Sequence, residues 1–247
     1  MSVVSHAGPV FSLARSRLKN PLFMGVRAYQ PRQGMMPRVT TIKSPKPGSE
    51  GRNSIRIIAG AWRGRRVTFP DLPELRPTPD RVRETLFNWL QSDIAESRCL
   101  DLFAGSGALG LESLSRGAEA VVFVEQSQMA ARALQAELTR LGGASRSRVV
   151  EMGASRFLRT PTATFGGAFD LVFMDPPYHR QALGEYVPMV DAAGWVKPGG
   201  LVYLENEKSA GVPELPSHWE LLKSKSAGEV GYHLVRVTAR LATEQTG

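Results

Sequence analysis

From about residue 94 onward, short apolar runs alternate with longer stretches in which apolar residues recur every three or four positions. The runs at 99–103, 120–125, 148–151, 170–174 and 201–205 are rich in Val, Leu and Phe and predict buried β-strands. Residues 108–115, 129–141 and 181–191 have helical spacing. Two more β-prone runs, 219–224 and 232–238, flank Ala227-Gly228-Glu229-Val230-Gly231, whose glycines mark a hairpin turn. Strands and helices in alternation, closed by a hairpin, predict an α/β domain with a doubly wound, mostly parallel sheet. Upstream, 55–59 and 66–69 read as the arms of a β-hairpin turning between Gly60 and Gly64. A proline-rich connector follows, and a helix opens near Thr78-Pro79-Asp80, with Thr78 as N-cap and Pro79 at the first helical position. On it Val82, Leu86, Trp89 and Leu90 form the buried stripe, with Arg81 and Glu84 on the other side. Lys197-Pro198-Gly199-Gly200 reads as a structural turn entering the strand at 201–205.

Two strand ends carry candidate chemistry. The run ending at Met174 is followed by Asp175-Pro176-Pro177-Tyr178. Proline lacks an amide donor, so the ladder stops there and leaves a carboxylate, a carbonyl and an aromatic ring at the carboxyl edge, where open α/β sheets bind ligands. A planar amine fits this group, donating to Asp175 and to the Pro176 carbonyl while its ring stacks on Tyr178. The plainer alternative is a Pro-Pro turn with Tyr178 as packing. The run at 99–103 leads into Ala104-Gly105-Ser106-Gly107-Ala108-Leu109-Gly110, a glycine loop before a helix. Gly105, Gly107 and Gly110 satisfy the dinucleotide pattern G-x-G-x-x-G. Against that rival, Asp101 stands where dinucleotide folds continue an apolar strand, and nothing downstream resembles a hydride-transfer site. Glu125 ends the next strand twenty residues after Gly105, placed to accept from both ribose hydroxyls of a nucleoside. Alternatively it only caps the helix beginning near Ser127.

Residues 101–110, Glu125 and 175–178 together resemble the class I S-adenosylmethionine-dependent methyltransferases that modify exocyclic amines. Residues 56–66 (RIIAGAWRGRR) and 76–90 (RPTPDRVRETLFNWL) resemble, more specifically, the bacterial 16S ribosomal RNA guanine-N2 methyltransferases of the small subunit, over roughly residues 55–240. The resemblance implies a seven-stranded, Rossmann-like methyltransferase sheet with one reversed strand, extended at its N-terminus by the hairpin and helix. It implies S-adenosylmethionine as cofactor, held by Asp101, Phe103, Gly105, Ser106, Gly107 and Glu125, and Asp175, Pro176 and Tyr178 as the catalytic group. For the RNA it points to Trp62, Arg63, Arg65, Arg66, Arg81, Pro177 and Tyr178. From the residues themselves, the hairpin arginines suit phosphates and Trp62 suits a base. The alternative is a solvated basic hairpin with Trp62 tucked against the body. The helix at 78–90 is expected to help cover the cofactor through Arg83, Glu84 or Asn88. Where relatives carry Asn or Asp to receive the adenine amine, this chain has Gly153, leaving a backbone group or the Ser155 hydroxyl for that task.

Charge placement sharpens the choice of partner. The net +8 divides into +7 over residues 1–50 (eight Lys/Arg, one acid), +5 over 51–83 (eight Arg, three acids) and −4 over 84–247 (fifteen Lys/Arg, nineteen acids). A polyanion approaching the N-terminal third explains this asymmetry. Residues 1–50 are acid-poor and rich in Pro, Ser, Gly and Arg, so disorder is the default. They read as a mobile RNA arm, a transit peptide, or an over-long start with Met35 or Met36 as the true one. The last is preferred because the resemblance begins only near Ile55. The expected organisation is 1–50 as this segment, 51–93 as hairpin and helix for RNA binding and cofactor cover, and 94–247 as the methyltransferase domain. The single cysteine, Cys99, excludes an internal disulfide. Four scattered histidines suggest no metal site, and no run approaches the roughly twenty apolar residues of a membrane helix. The expected partner is 16S ribosomal RNA in the small subunit or its assembly intermediate, met by a monomer in the cytoplasm, or in an organelle if 1–50 is a transit peptide.

Methyl transfer to an amine needs positioning more than a strong base, because the nitrogen becomes more acidic as it is methylated. Rival readings are a methyltransferase of DNA adenine or of a protein glutamine amide, and a non-catalytic RNA-binding module.

Overall fold

In chain order β1 (Arg52–Arg56) pairs antiparallel with β2 (Arg66–Pro70), and α1 (Asp80–Trp89) leads into β3 (Arg98–Asp101). Then come α2 (Ala108–Ser115), β4 (Ala120–Glu125), α3 (Gln128–Leu141), β5 (Ser147–Glu151), α4 (Ala154–Leu158), β6 (Phe169–Met174) and α5 (Ala182–Ala192). The chain closes with β7 (Val196–Glu207), β8 (Trp219–Ala227) and β9 (Val230–Val237). The computed structural model describes residues 52–72, 75, 77–177 and 182–239, so the expectations for 1–50 and for Tyr178 lie outside the described residues.

Seven strands form one sheet in the order β5-β4-β3-β6-β7-β9-β8. Neighbours from β5 to β7 are parallel, and β9 runs antiparallel to both β7 and β8. This is the doubly wound, mostly parallel seven-stranded sheet expected, with the terminal hairpin supplying the reversed strand. Alternation along each strand builds two cores. Cys99, Phe173 and Tyr203 face α1, α2, α3 and the hairpin, whereas Leu100, Val172 and Leu204 face α4 and α5. Each such large apolar side chain contributes about 1.5–3 kcal/mol on burial.

The hairpin shares the first of these cores: Ile55, Ile57, Trp62, Val67 and Phe69 cluster with Leu134 and Leu138 of α3. Its first arm ends at Arg56, earlier than the expected 55–59. The reason lies in α2, where buried Glu112 accepts hydrogen bonds from the amides of Ile58 (2.8 Å) and Ala59 (3.0 Å) and draws the chain out of the ladder. The turn then docks on the end of α2, the Ala61 amide donating to the Ser115 carbonyl at 2.7 Å. Gly60 has φ +80°, and a Cβ there would lie 1.9 Å from that carbonyl oxygen, so no other residue fits. Glu112 also pairs with Arg116 (2.7 Å) and Arg83 (3.7 Å).

Three expectations need correction. Arg83, considered as a cofactor contact, is fully buried and donates to the carbonyls of Thr78 and Arg56 and to Asp80, binding the hairpin to α1 instead. Thr78 does not cap α1: the helix begins at Asp80, Pro79 holds the cap position, and no side chain caps it. Lys197–Gly200 is not a turn before a strand but an irregularity within β7, across which the pairing moves from Phe169↔Val196 to Leu171↔Leu201. There the Lys197 ammonium pairs with Asp170 at 2.7 Å.

Candidate active site

β4 and β6 lie on opposite sides of β3, so the loops leaving these strands part at the carboxyl edge. A cavity of about 1010 Å³ opens there, and Asp101, Phe103, Gly105, Glu125, Asp175 and Pro176 are among its walls.

Glu125 caps the start of α3, the plainer of the two roles considered for it, and also lines the cavity. Its Oε1 accepts the Ser127 amide at 2.6 Å, at the start of α3, and its Oε2 accepts the Gly105 amide at 2.8 Å. The carboxylate therefore holds the glycine loop against β4 while lining the cavity, and each oxygen retains acceptor capacity for a ligand hydroxyl. Asp101 accepts the Gly110 amide at 3.0 Å. Burial pushes its carboxyl up to about 7, reinforced by the charges of Asp175 and Glu125 and opposed by the Gly110 amide.

The three glycines differ in role. Only Gly105 lines the cavity. Gly107, expected as a cofactor contact, instead takes the left-handed conformation (φ +76°) that starts α2, and a Cβ there would meet Leu134 at 2.5 Å. A Cβ on Gly110 would fall 2.2 Å from the Phe123 ring, so that glycine serves helix–sheet packing. Buried Ser106 does reach the cavity wall. Phe103 meets Tyr186 of α5 edge-on, with centroids 4.9 Å apart. Ser155 is turned toward α5, its hydroxyl donating to the Tyr186 hydroxyl at 3.3 Å. Met152 and Ala154, on either side of Gly153, line the cavity.

Asp175 stands one residue beyond the end of β6, and its Oδ2 accepts the Thr78 hydroxyl at 3.2 Å. Burial pushes its carboxyl up to about 7, against the lowering effect of that hydrogen bond. Pro176 is buried beside it, and Pro177 completes the wall. Tyr178, the expected stacking ring, lies outside the described residues. The described wall carries Asp101, Glu125, Asp175 and Glu185 and no Lys, Arg or His. Four carboxyl groups on one cavity wall, with no cation among the described lining residues, suit a ligand that brings positive charge.

A second cavity of about 340 Å³ shares Pro77 and Thr78 with the first and is lined further by Ser54, Arg56, Arg66 and Asp80. Arg63 and Arg65 are exposed on the hairpin turn, and Arg81 is exposed on α1. Trp62 departs from the expectation of a base-stacking ring. It is 6% exposed, its amide donates to Ser115 Oγ, and its ring packs so closely on Gly143 that a Cβ there would lie 2.7 Å away. Glu84 and Asn88 are exposed on α1 and do not line the cavity.

Sequence reasoning missed Thr78 and Tyr186 as site residues. Thr78 carried a signal that pointed elsewhere, since Thr-Pro-Asp is a normal helix start. Tyr186 lies on an ordinary helix and reaches the cavity only through packing.

A family model described as conserved hypothetical protein 95 matches residues 55–236. The chain is 45% identical over 195 residues to the ribosomal RNA small subunit methyltransferase D of Escherichia coli strain K12, covering 79% of this chain and 96% of that protein. It is 42% identical over 193 residues to the protein of the same name from Haemophilus influenzae, covering 78% and 97%. Among solved structures, a putative methyltransferase, yhhF, from Escherichia coli superposes with a TM-score of 0.70 at 42% identity, covering 76% of this chain and all of that one. With the sheet, the acidic cavity and these matches in agreement, the chain belongs to the conserved hypothetical protein 95 family, the family of the ribosomal RNA small subunit methyltransferase D proteins.

Proposed function

We propose that the protein transfers a methyl group from S-adenosylmethionine to the exocyclic N2 amine of a guanine in 16S ribosomal RNA, within the small subunit or its assembly intermediate, acting as a monomer in the cytoplasm. Asp175 at the carboxyl edge carries the reading: Thr78 occupies its Oδ2, while Oδ1 accepts no hydrogen bond among the described residues. The cofactor fits the larger cavity, where Glu125 would hold the ribose and the acidic wall would favour its positive charge. When bound there, it supplies an electrophilic methyl group on a sulfonium centre.

The chain's own residues do the rest. An N2 lone pair is delocalised into the guanine ring and is a poor nucleophile. Hydrogen bonds from its two N–H groups to Asp175 and to the Pro176 carbonyl favour a pyramidal nitrogen whose lone pair is directed at the methyl group. Asp175 then takes the proton that the methylated nitrogen sheds, so positioning rather than strong basicity sets the rate. Tyr178 is assigned to stack on the base and Pro177 to flank it. Arg56 and Arg66 suit the neighbouring phosphates, because their cavity adjoins the active site through Pro77 and Thr78. Arg63, Arg65 and Arg81 extend that basic surface. A guanine held in folded RNA must be swung out, at a cost of a few kcal/mol.

The test is methyl transfer from labelled S-adenosylmethionine to small ribosomal subunits lacking native modifications, with nucleoside analysis and an Asp175→Ala control. Label in N2-methylguanosine, lost in the variant, supports the proposal. Label in methyladenine of duplex DNA or in a protein amide overturns the substrate. Asp175→Ala should abolish turnover and leave cofactor affinity within about tenfold, since the lost interaction belongs to the transition state.

A further inference from the structure

β4 and β5 are parallel, and their pairing ends at Glu125↔Glu151, after which the Met152 amide donates to the Glu125 carbonyl at 2.9 Å. The two chains therefore leave the sheet edge side by side, with Gln126 against Met152 and Gly153. Gly153 has φ −71° and ψ 145°, an extended backbone that any residue adopts. Apart from its chain neighbours, a Cβ built there would meet one atom within 4 Å among the described residues, Gln126 Oε1 at 3.9 Å. The place of a side chain at 153 is thus open, and the Gln126 carboxamide borders it. Gln126 lines the larger cavity, directly follows the acid assigned to the ribose, and makes no hydrogen bond among the described residues.

We infer that Gln126 is the residue that reads the adenine of S-adenosylmethionine, its carboxamide working in the space that Gly153 leaves open. Oε1 accepts from the 6-amino group and Nε2 donates to the ring nitrogen beside it. Adenine presents a donor next to an acceptor along its edge, and a carboxamide is the side-chain group that matches both at once. Met152 and Ala154, which line the cavity on either side of Gly153, offer the ring apolar contact. The assignment rests on the placement of the cofactor in this cavity with its ribose on Glu125, since the base is joined to that ribose.

The other polar side chains nearby are already engaged. Ser127 caps α3 by accepting the Ala130 amide. Ser155 does not line the cavity, and its hydroxyl is turned toward Tyr186 and Glu185. Glu185 does line the cavity and accepts from Ser155 at 3.5 Å. Its carboxylate could take the adenine amine, but it has no hydrogen to give and would set its charge against the lone pair of the ring nitrogen. Gln126 meets both requirements without charge.

The test is calorimetric titration, without RNA, of S-adenosylhomocysteine and of its analogue in which unsubstituted purine replaces adenine. Wild-type protein should prefer the amine-bearing ligand by about fivefold to tenfold, the scale of one neutral hydrogen bond. Gln126→Ala should bind the two ligands within about twofold of each other, a loss of discrimination that a merely structural role would not produce. Adding Gly153→Asn to Gln126→Ala should restore the preference, because asparagine there places a carboxamide in the same space. Glu185→Ala should keep the preference. A wild-type preference surviving in Gln126→Ala, or a preference lost in Glu185→Ala, overturns the proposal. Glu125→Ala, titrated alongside, separates this failure from a misplaced cofactor. Weakened binding in Glu125→Ala with the preference intact in Gln126→Ala overturns the adenine assignment alone, whereas unchanged binding in both overturns the placement of the cofactor as well. The substrate assignment does not enter, since no RNA is present.

Discussion

The Gly105 amide and the Glu125 carboxylate meet at 2.8 Å, so the acid assigned to the ribose also shapes the loop beside it. Glu125→Ala should weaken S-adenosylmethionine binding by at least about tenfold, because it removes a charged acceptor and frees the loop. Glu125→Gln should lose less. Calorimetric titration separates the roles: an unchanged affinity in Glu125→Ala would leave the carboxylate with only its backbone duties.

Cofactor binding should depend on pH. Asp101 and Asp175 are each pushed up to about 7, and a cationic ligand favours their ionised forms. Binding then releases protons, and affinity should rise between about pH 6 and pH 8, by up to about tenfold per unit for each proton released. Calorimetry in buffers of different ionisation enthalpy would detect this release, and Asp101→Asn should diminish it. A flat profile would exclude the coupling.

The same shifts have a stability consequence of definite sign. Between the ordinary carboxylate range and about 7, native Asp101 holds a proton that the unfolded chain has lost, so its contribution falls as pH rises through that window. Glu137 and Asp170 act oppositely. Burial opposes the lowering of both, but hydrogen bonds from Thr68 and Arg140 outweigh it for Glu137, as those from Lys197 and Arg98 do for Asp170. Their contribution is lost as pH falls. Asp101→Asn should therefore raise Tm more at about pH 8 than at about pH 5, by roughly 3 °C or more at the higher value. Equal effects at both values would mean that Asp101 is ionised throughout.

Glu112 anchors the hairpin. Glu112→Ala takes from buried Arg83 one of its two carboxylate partners, leaving Asp80, and removes the acceptor for two backbone amides, and should destabilise by about 2–4 kcal/mol. Urea unfolding measures the loss. A cost below about 1 kcal/mol would show that water replaces these contacts.

Trp62 is assigned to packing rather than to RNA. Trp62→Ala should cost about 3–5 kcal/mol, while Trp62→Phe should retain the wild-type KM for RNA. A raised KM in a fully stable Trp62→Phe protein would return the ring to the substrate.

Arg56→Ala and Arg66→Ala should weaken RNA binding without changing cofactor affinity. Each should also lower the salt dependence, the slope of log K against log salt falling by about 0.7–0.9 per lost phosphate contact. An unchanged slope would remove these arginines from the RNA path.

Much of this architecture was legible along the chain. The β-strand at Ala120–Glu125 matches its apolar run at both ends, and Glu125 emerges at the cavity as its position foretold. Errors fell where a long-range partner overrode a local preference. Thr78 has the sequence context of a helix cap, yet its hydroxyl serves Asp175, ninety-seven residues away. The first hairpin arm stops early because Glu112, more than fifty residues on, captures its amides.

The order of apolar runs and helical stretches determined the doubly wound sheet, because periods of two and 3.6 are written into neighbouring residues. The carboxylates at the strand ends were readable for the same reason: a strand that stops at a proline pair or a glycine loop delivers its next residue to the sheet edge. Only the tertiary structure decided that Trp62 turns inward, that Gly107 and Gly110 serve packing, and that the Thr78 hydroxyl meets Asp175. Those outcomes depend on which distant surfaces meet, and on how few polar partners remain once water has been excluded from between them.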